Sequence, residues 1–347
     1  MSSLLARITG RVGRLTLNRP RALNALTADM VVAMDEALVR WSDADRIRQV
    51  LIHGAGERGL CAGGDIRAIH ADAVAGGSAS LRFWRDEYRL NARIASYPKP
   101  IVAWMDGLVM GGGVGVSGHA SIRVVTERTA LAMPEVGIGL HPDVGGSWLL
   151  AHCPGEWGTH LALTGGTITG ADAIHAGLAD FYLPSAALPR VAAELTVRDA
   201  AAVIEMLATT PPASELATAQ RWIDECYRGD DVGTIVDQLK AHPDPAAQAA
   251  AATIVTKSPT SLKVTLRSLR TAKELPDLVA ALEQEYRLSA ALLRSPDLIE
   301  GVRAQIIDKD RNPHWSPPTL EMVSDEAVSA CFAATSDNIF DLGAALR

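Results

Sequence analysis

Two glycine-rich turns, Cys61-Ala-Gly-Gly-Asp65 and Met110-Gly-Gly-Gly-Val-Gly115, constrain this chain more than any other feature. Each follows a short apolar run and leads towards a helical stretch. Strand, glycine turn and helix therefore recur, the pattern of an α/β fold. Glycine at such turns lets the backbone approach another segment or a ligand with no Cβ in the way. Further on, Met133 to Gly146 carries two carboxylates, Glu135 and Asp143, among Pro134, Gly137, Gly139, Pro142, Gly145 and Gly146.

The rest of the chain can be placed around these turns. Leu5 to Asn18 alternates and turns at Gly10 and Gly13, which predicts a β-hairpin. Thr27 suits a helix cap, with Met30, Met34, Leu38 and Trp41 following at helical period. Val50-Leu-Ile, Ile101-Val-Ala-Trp and Ile122 to Thr126 predict strands. Ala71 to Ser80 predicts a flexible loop, Leu81–Ile94 a helix ended by Pro98-Lys-Pro100, and Val114 to Ala120 a small-residue helix. Beyond Leu183 prolines punctuate Ala/Leu-rich stretches, and Ser258-Pro259 pairs an N-cap with proline at the first helical position. We expect a core domain over 1–190 and a helical region over 191–347. Pro313 to Pro318 reads as an extended strap, and a last helix is expected near Asp325–Thr335.

Bulk properties bound the function. A chain of 347 residues with 48% hydrophobic and 21% charged residues has ample core for a large globular domain. A net charge of −7 argues against nucleic acid as partner, since such binders show a basic face. No apolar run approaches the length of a membrane span. The first 28 residues hold arginines and no acid, superficially like a transit peptide, but the hairpin reading assigns them to the fold. The four cysteines, at 61, 153, 226 and 331, are scattered without Cys-x-x-Cys spacing, so neither a metal framework nor disulfides are expected and the cytoplasm is the default compartment.

Two aimed N–H groups and a carboxylate are the minimum apparatus of acyl chemistry, because charge develops on oxygen in the tetrahedral intermediate. Taken singly, three glycines at a helix start more often serve close packing than oxyanion binding. Their company raises the signal: a second glycine turn and a carboxylate on a third. Asp143 could equally cap a helix after Pro142. His141, between the carboxylates, could tune either, although lining a wall is the commoner role of a lone histidine. Cys61 shows no paired base, and Asp65 reads as a cap or brace of the first turn.

Together these blocks resemble the crotonase (enoyl-CoA hydratase/isomerase) superfamily. Asn18-Arg-Pro-Arg-Ala-Leu-Asn-Ala-Leu26, Cys61 to Ile66, Asp106 to Gly115 and Ala132 to Leu140 match its pattern in order. Met133-Pro-Glu135, Pro142-Asp-Val-Gly-Gly146, Glu300-Gly-Val-Arg-Ala304, Ile307-Asp-Lys-Asp310, Asn312-Pro313 and Trp315 look most like its 3-hydroxyisobutyryl-CoA hydrolase branch. The resemblance implies a spiral of ββα units with a helical C-terminal region. It implies that Gly64 and Gly112 form an oxyanion hole for a thioester, with Gly111 beside them and Ala62 accepting from the CoA adenine. Glu135 would attack the acyl carbon or activate water, and the Asp143 equivalent would contact a 3-hydroxyl or a water. Arg19 and Arg21 are first choices for the CoA phosphates, with Lys257, Lys263 and Arg267 second.

Family hydratases use a second glutamate two residues beyond the glycine triplet, and here that position is Gly115. The resemblance therefore favours hydrolysis of a short 3-hydroxyacyl-CoA, as in valine degradation. An enoyl-CoA hydratase or isomerase, or a non-catalytic acyl-CoA-binding module, is the alternative. It implies no cofactor besides the CoA of the substrate, and an assembly of identical chains, since relatives are often trimers.

Overall fold

The structure is a computed structural model that describes residues 2–334 and 340–343. The chain forms two compact units, each assembled from three segments: 1–64, 86–132 and 167–217 in the first, 65–85, 133–166 and 218–347 in the second. This grouping is interleaved and differs from a single cut after residue 190. Every regular element after Tyr182 is nevertheless helical among the described residues.

In the first unit the expected hairpin is present. Strands β1 (Leu4–Thr9) and β2 (Val12–Leu17) pair antiparallel around Gly10, at φ 57°. Next come α1 (Ala28–Ser42), capped by Thr27 Oγ accepting from Met30 N, then β3 (Gln49–Gly54) and β4 (Gly59–Cys61). A side chain at Gly13 would run into the Trp41 ring, so this glycine lets α1 lie on β2.

Three ββ pairs follow one plan. β3–β4, β5 (Ile101–Met105)–β6 (Leu108–Met110) and β7 (Ile122–Val125)–β8 (Ala130–Ala132) each place the first strand in one sheet and the second in another. With β9 (Ile168–Thr169) and β10 (Phe181–Tyr182), the orders are β1-β2-β3-β5-β7-β10 and β4-β6-β8-β9. β3, β5 and β7 are parallel neighbours, as are β4, β6 and β8. That repetition is the spiral of ββα units.

β5 is buried along its whole length, the continuous apolar run of a parallel strand covered on both faces. Val12, Leu51, Val102, Trp104 and Val124 form one core with Leu183, Val191, Leu195, Val203 and Ile204 from the segment that follows β10.

Two local expectations are corrected. Residues 71–74 belong to α2 (Ile66–Val74), leaving only 75–78 as a loop before α3 (Ala79–Ala95). The helix expected over 114–120 is the single turn α4 (Gly112–Gly115), because Ser117 and Gly118 continue in turns. In the second unit, the helix Pro259–Ala272 starts at its Ser258 cap as expected. The helix expected near Asp325–Thr335 is Asp325–Phe332; Thr335 lies outside the described residues.

Candidate active site

The three chemistry-bearing turns follow the carboxyl ends of β4, β6 and β8, three neighbouring parallel strands of the small sheet, where α/β folds commonly bind ligands. Within the first unit, the two glycine turns meet. A Cβ on Gly112 would stand 3.2 Å from Gly64 N and 2.6 Å from Glu87 Oε1. A Cβ on Gly63, at φ 105°, would stand 3.3 Å from Met110 O.

Main-chain bonds fix this approach. Gly63 O accepts from Leu26 N at 2.9 Å, Leu23 O from Ala62 N at 3.0 Å, and Ala132 O from Gly111 N at 3.2 Å. Gly111, at φ 50° and ψ −119°, opens α4 in a conformation that only glycine takes without strain. Since α4 is one turn long, any attraction for negative charge rests on the individual N–H groups rather than on a long helix dipole.

The loop Arg19–Leu26 frames the first turn. Buried Asn24, at φ 57°, accepts from Arg19 N and donates to Ala55 O and Gly59 O. Arg19 Nη1 donates to Ala25 O at 2.6 Å, whereas Arg21 is exposed. Glu87 is a site residue the sequence does not flag: it is buried at the glycine pair, reached from α3 in the midst of a polar helix stretch.

Cys61 is fully buried, its thiol donating to Gly63 O and accepting from Gly63 N. Burial pushes that thiol up to about 12, with the Glu87 charge adding to the effect, so no thiolate forms near neutrality.

The second unit carries Asp65, Glu135, His141 and Asp143. Asp65 stands at the N-cap position of α2 but makes no side-chain cap hydrogen bond, which corrects the capping half of its expected role. Glu135 opens a 3₁₀ turn, Glu135–Ile138, and is buried. This turn sits on the helix Pro296–Val302 through two glycines. A side chain at Gly139 would run into Asp297 backbone, and one at Gly301 would lie 2.6 Å from Ile138 C. Ser258 N donates to Val136 O, and Ser258 Oγ to Asp297 Oδ2 at 2.5 Å. Asp297 Oδ1 also accepts from Ser316 N, and Trp315 Nε1 donates to Thr256 O. The Glu300–Ala304 and Trp315 motifs thus seat the Glu135 turn. In the same stretch Arg303 gathers Glu300, Asp308 and Asp310.

Buried Asp143 precedes α5 (Gly146–Ala151). The capping role that sequence offers Asp143 falls to Glu285, on the helix Leu278–Leu292. Its two carboxyl oxygens accept from Gly145 N at 2.6 Å, Ser147 N at 2.9 Å and Ser147 Oγ at 2.5 Å. Burial pushes Glu285 up to about 8, with the Asp143 charge among the lesser causes.

His141 is fully buried, its Nδ1 at 3.0 Å from Pro142 O and its Nε2 at 3.2 Å from Ser289 Oγ. Burial lowers it to about 4, so the ring is neutral and tethers the turn. Glu285 and Ser289 are invisible to motif reading because they lie on a helix far along the chain.

The second-choice basic residues are largely engaged. Lys263 donates to Val323 O and Arg267 to Ser329 Oγ, while half-buried Lys257 lies near Gly137 with its pKa lowered by burial. Among the described residues no cluster of His, Cys, Asp or Glu is arranged to hold a metal, and no helix is long and apolar enough to cross a membrane.

Comparison with known proteins agrees with this architecture. The chain is 40% identical over 347 residues to the 3-hydroxyisobutyryl-CoA hydrolase of Danio rerio mitochondria, covering 97% of this chain and 91% of the relative. A solved carnitinyl-CoA dehydratase from Mycobacterium thermoresistibile superposes with a TM-score of 0.94 at 51% identity, covering 97% and 98% of the two chains. An enoyl-CoA hydratase from Rhodobacter sphaeroides gives 0.92 at 41%, covering 97% and 99%. The profile of the enoyl-CoA hydratase/isomerase family matches residues 12–332, and the chain belongs to that family.

Proposed function

We propose that this chain is an acyl-CoA thioester hydrolase whose substrate is a short 3-hydroxyacyl-CoA, 3-hydroxyisobutyryl-CoA first, in valine degradation. On this reading the N–H groups of Gly64 and Gly112 hold the thioester oxygen as it gains charge. Glu135 attacks the acyl carbon or draws the proton from an attacking water. The C–S bond then breaks and CoA leaves as the thiolate, which takes up a proton. The water route gives the hydroxy acid directly, whereas the attack route gives a Glu135 mixed anhydride that a second step hydrolyses with water to the hydroxy acid. Asp143 contacts the 3-hydroxyl or a water, Ala62 O and Gly111 line the CoA side, and Arg19 and Arg21 meet its phosphates.

The observation that carries this reading is Gly115. It is buried inside α4, where the family's hydratases hold their second glutamate, and it has no side chain to place a water. Each preorganised oxyanion donor is worth about 10²–10³ in rate, so hydrolysis keeps its main source of acceleration without that base. The relatives named as hydrolases support the same choice. The second reading, hydration or dehydration, draws on the names of the two solved relatives.

The two readings part in one assay. A thiol-reactive chromogen reports CoA only if the thioester is cleaved, while enoyl absorbance reports hydration. Glu135→Gln should abolish thiol release while CoA-ester binding persists; retained turnover would defeat the assignment. Binding of CoA esters with no turnover across a panel would favour the non-catalytic module.

None of the four cysteines is in a disulfide, which fits a reducing compartment. We place the chain in the cytoplasm, although the names of the hydrolase relatives say mitochondrial. Fractionation of the native host tests that. An assembly of identical chains is proposed on the family habit alone, and light scattering tests it.

A further inference from the structure

The turn bearing Asp143 is held in a strained backbone by a residue far down the chain. Val144, at φ 54°, and Gly145, at φ 79°, are consecutive left-handed residues. A β-branched residue in that region is an outlier that persists only where its surroundings over-determine it. Here they do. Glu285 Oε2 accepts from Gly145 N, and its Oε1 accepts from both Ser147 N and Ser147 Oγ. One helical turn on, Ser289 meets the His141 ring. Both flanks of Asp143 are thus fastened to one face of one helix, since residues four apart share a face.

We propose that Glu285 is a positioning residue that fixes the direction in which Asp143 presents its carboxylate. The inference rests on the reading of Asp143 as a group that contacts substrate or water.

The chemistry requires both oxygens of an acid at residue 285. Three donors converge on it, one on Oε2 and two on Oε1. A glutamine would set its NH₂ against one of these N–H groups, leaving a buried donor unpaired and freeing one flank of the turn. A purely structural acid would instead act on stability alone, and its loss would be independent of residue 143.

The test is a double-mutant cycle read by thiol release from a 3-hydroxyacyl-CoA, with melting temperature recorded alongside. Glu285→Gln and Asp143→Asn should each lower kcat by about tenfold or more with KM nearly unchanged, and the double variant should be no slower than Asp143→Asn alone. Wild-type kcat in Glu285→Gln, or its full loss repeated on the Asp143→Asn background, overturns the proposal. Wild-type kcat in Asp143→Asn overturns the reading of Asp143 itself, and the proposal with it. Where Glu285→Gln fails to fold, Ser147→Ala removes one bond and leaves the acid. It should cost about threefold in kcat on the wild type and nothing on Asp143→Asn, and equal losses on both would overturn the proposal.

Discussion

Gly64 N lies 3.2 Å from the point a Cβ on residue 112 would occupy, so the two glycine turns approach more closely than an ordinary side-chain contact allows. Gly112→Ala would fill that gap. Its methyl would also stand 2.6 Å from Glu87 Oε1 and 3.2 Å from Leu26 Cδ1. The Glu87 tip can swing away, whereas the Gly64 amide cannot. The variant should therefore fold, yet lose about a hundredfold in kcat, the scale of one oxyanion donor. Thiol-release kinetics beside a thermal melt check this, and a kcat within threefold of wild type would count against the glycine pair as the oxyanion site.

The fold and half of the site could be read from sequence because local rules carry them. Thr27, Gly10 and Ser258-Pro259 act through neighbours a few residues away, and the periods of β5 and α1 follow from burial on two faces and on one. The two glycine turns announced themselves by composition. What escaped has a different character. Glu87, Glu285 and Ser289 sit in ordinary helical contexts, and only tertiary placement turns them inward. α4 is shorter than expected because Gly115 and Gly118 favour turns over helix, and α2 is missed because its alanines run into the Gly76-Gly77 stretch and read together as a loop.

Gly301 explains one block of the C-terminal motif. A Cβ there would lie 2.6 to 2.9 Å from the C, Cα and O atoms of Ile138, all backbone. Gly301→Ala must displace the turn that carries Glu135. Overpacking of this kind costs about 1–3 kcal/mol. Urea unfolding should register that loss, with a fall in kcat exceeding any rise in KM. An unchanged midpoint would mean the contact has room to relax.

Cys61 should be chemically inert in the native state despite its place beside Ala62. It is fully buried and its thiol is held up to about 12, while Cys331, although its thiol is also raised by burial, is half-exposed and open to reagent. Brief iodoacetamide treatment at pH 8, followed by peptide mapping, should label Cys331 and leave Cys61 unmodified, with thioester cleavage retained. Rapid labelling of Cys61 with matching loss of activity would revive it as a nucleophile.

Stability should peak near pH 6.5. His141 and His160 are lowered to about 4 by burial, and His53 to about 4 by burial and then the Arg14 charge. From pH 6.5 down to 4 the unfolded chain therefore binds more protons at these three sites than the native one, and stability falls with acid. Glu285 acts in the opposite sense. Its native value of about 8 means the folded state keeps a proton that the unfolded state releases between pH 4.5 and 8. Its contribution is full below 4.5 and is lost as pH rises through 8. Between 4.5 and 6.5 the three histidines outweigh it, and above 6.5 they no longer oppose it, so Glu285 by itself lowers the alkaline limb by at most about 1.4 kcal/mol per pH unit. Urea midpoints from pH 5 to 8.5 measure both limbs. Glu285→Gln should flatten the alkaline one and leave the acid one, and a limb that survives the substitution would assign the proton to another group.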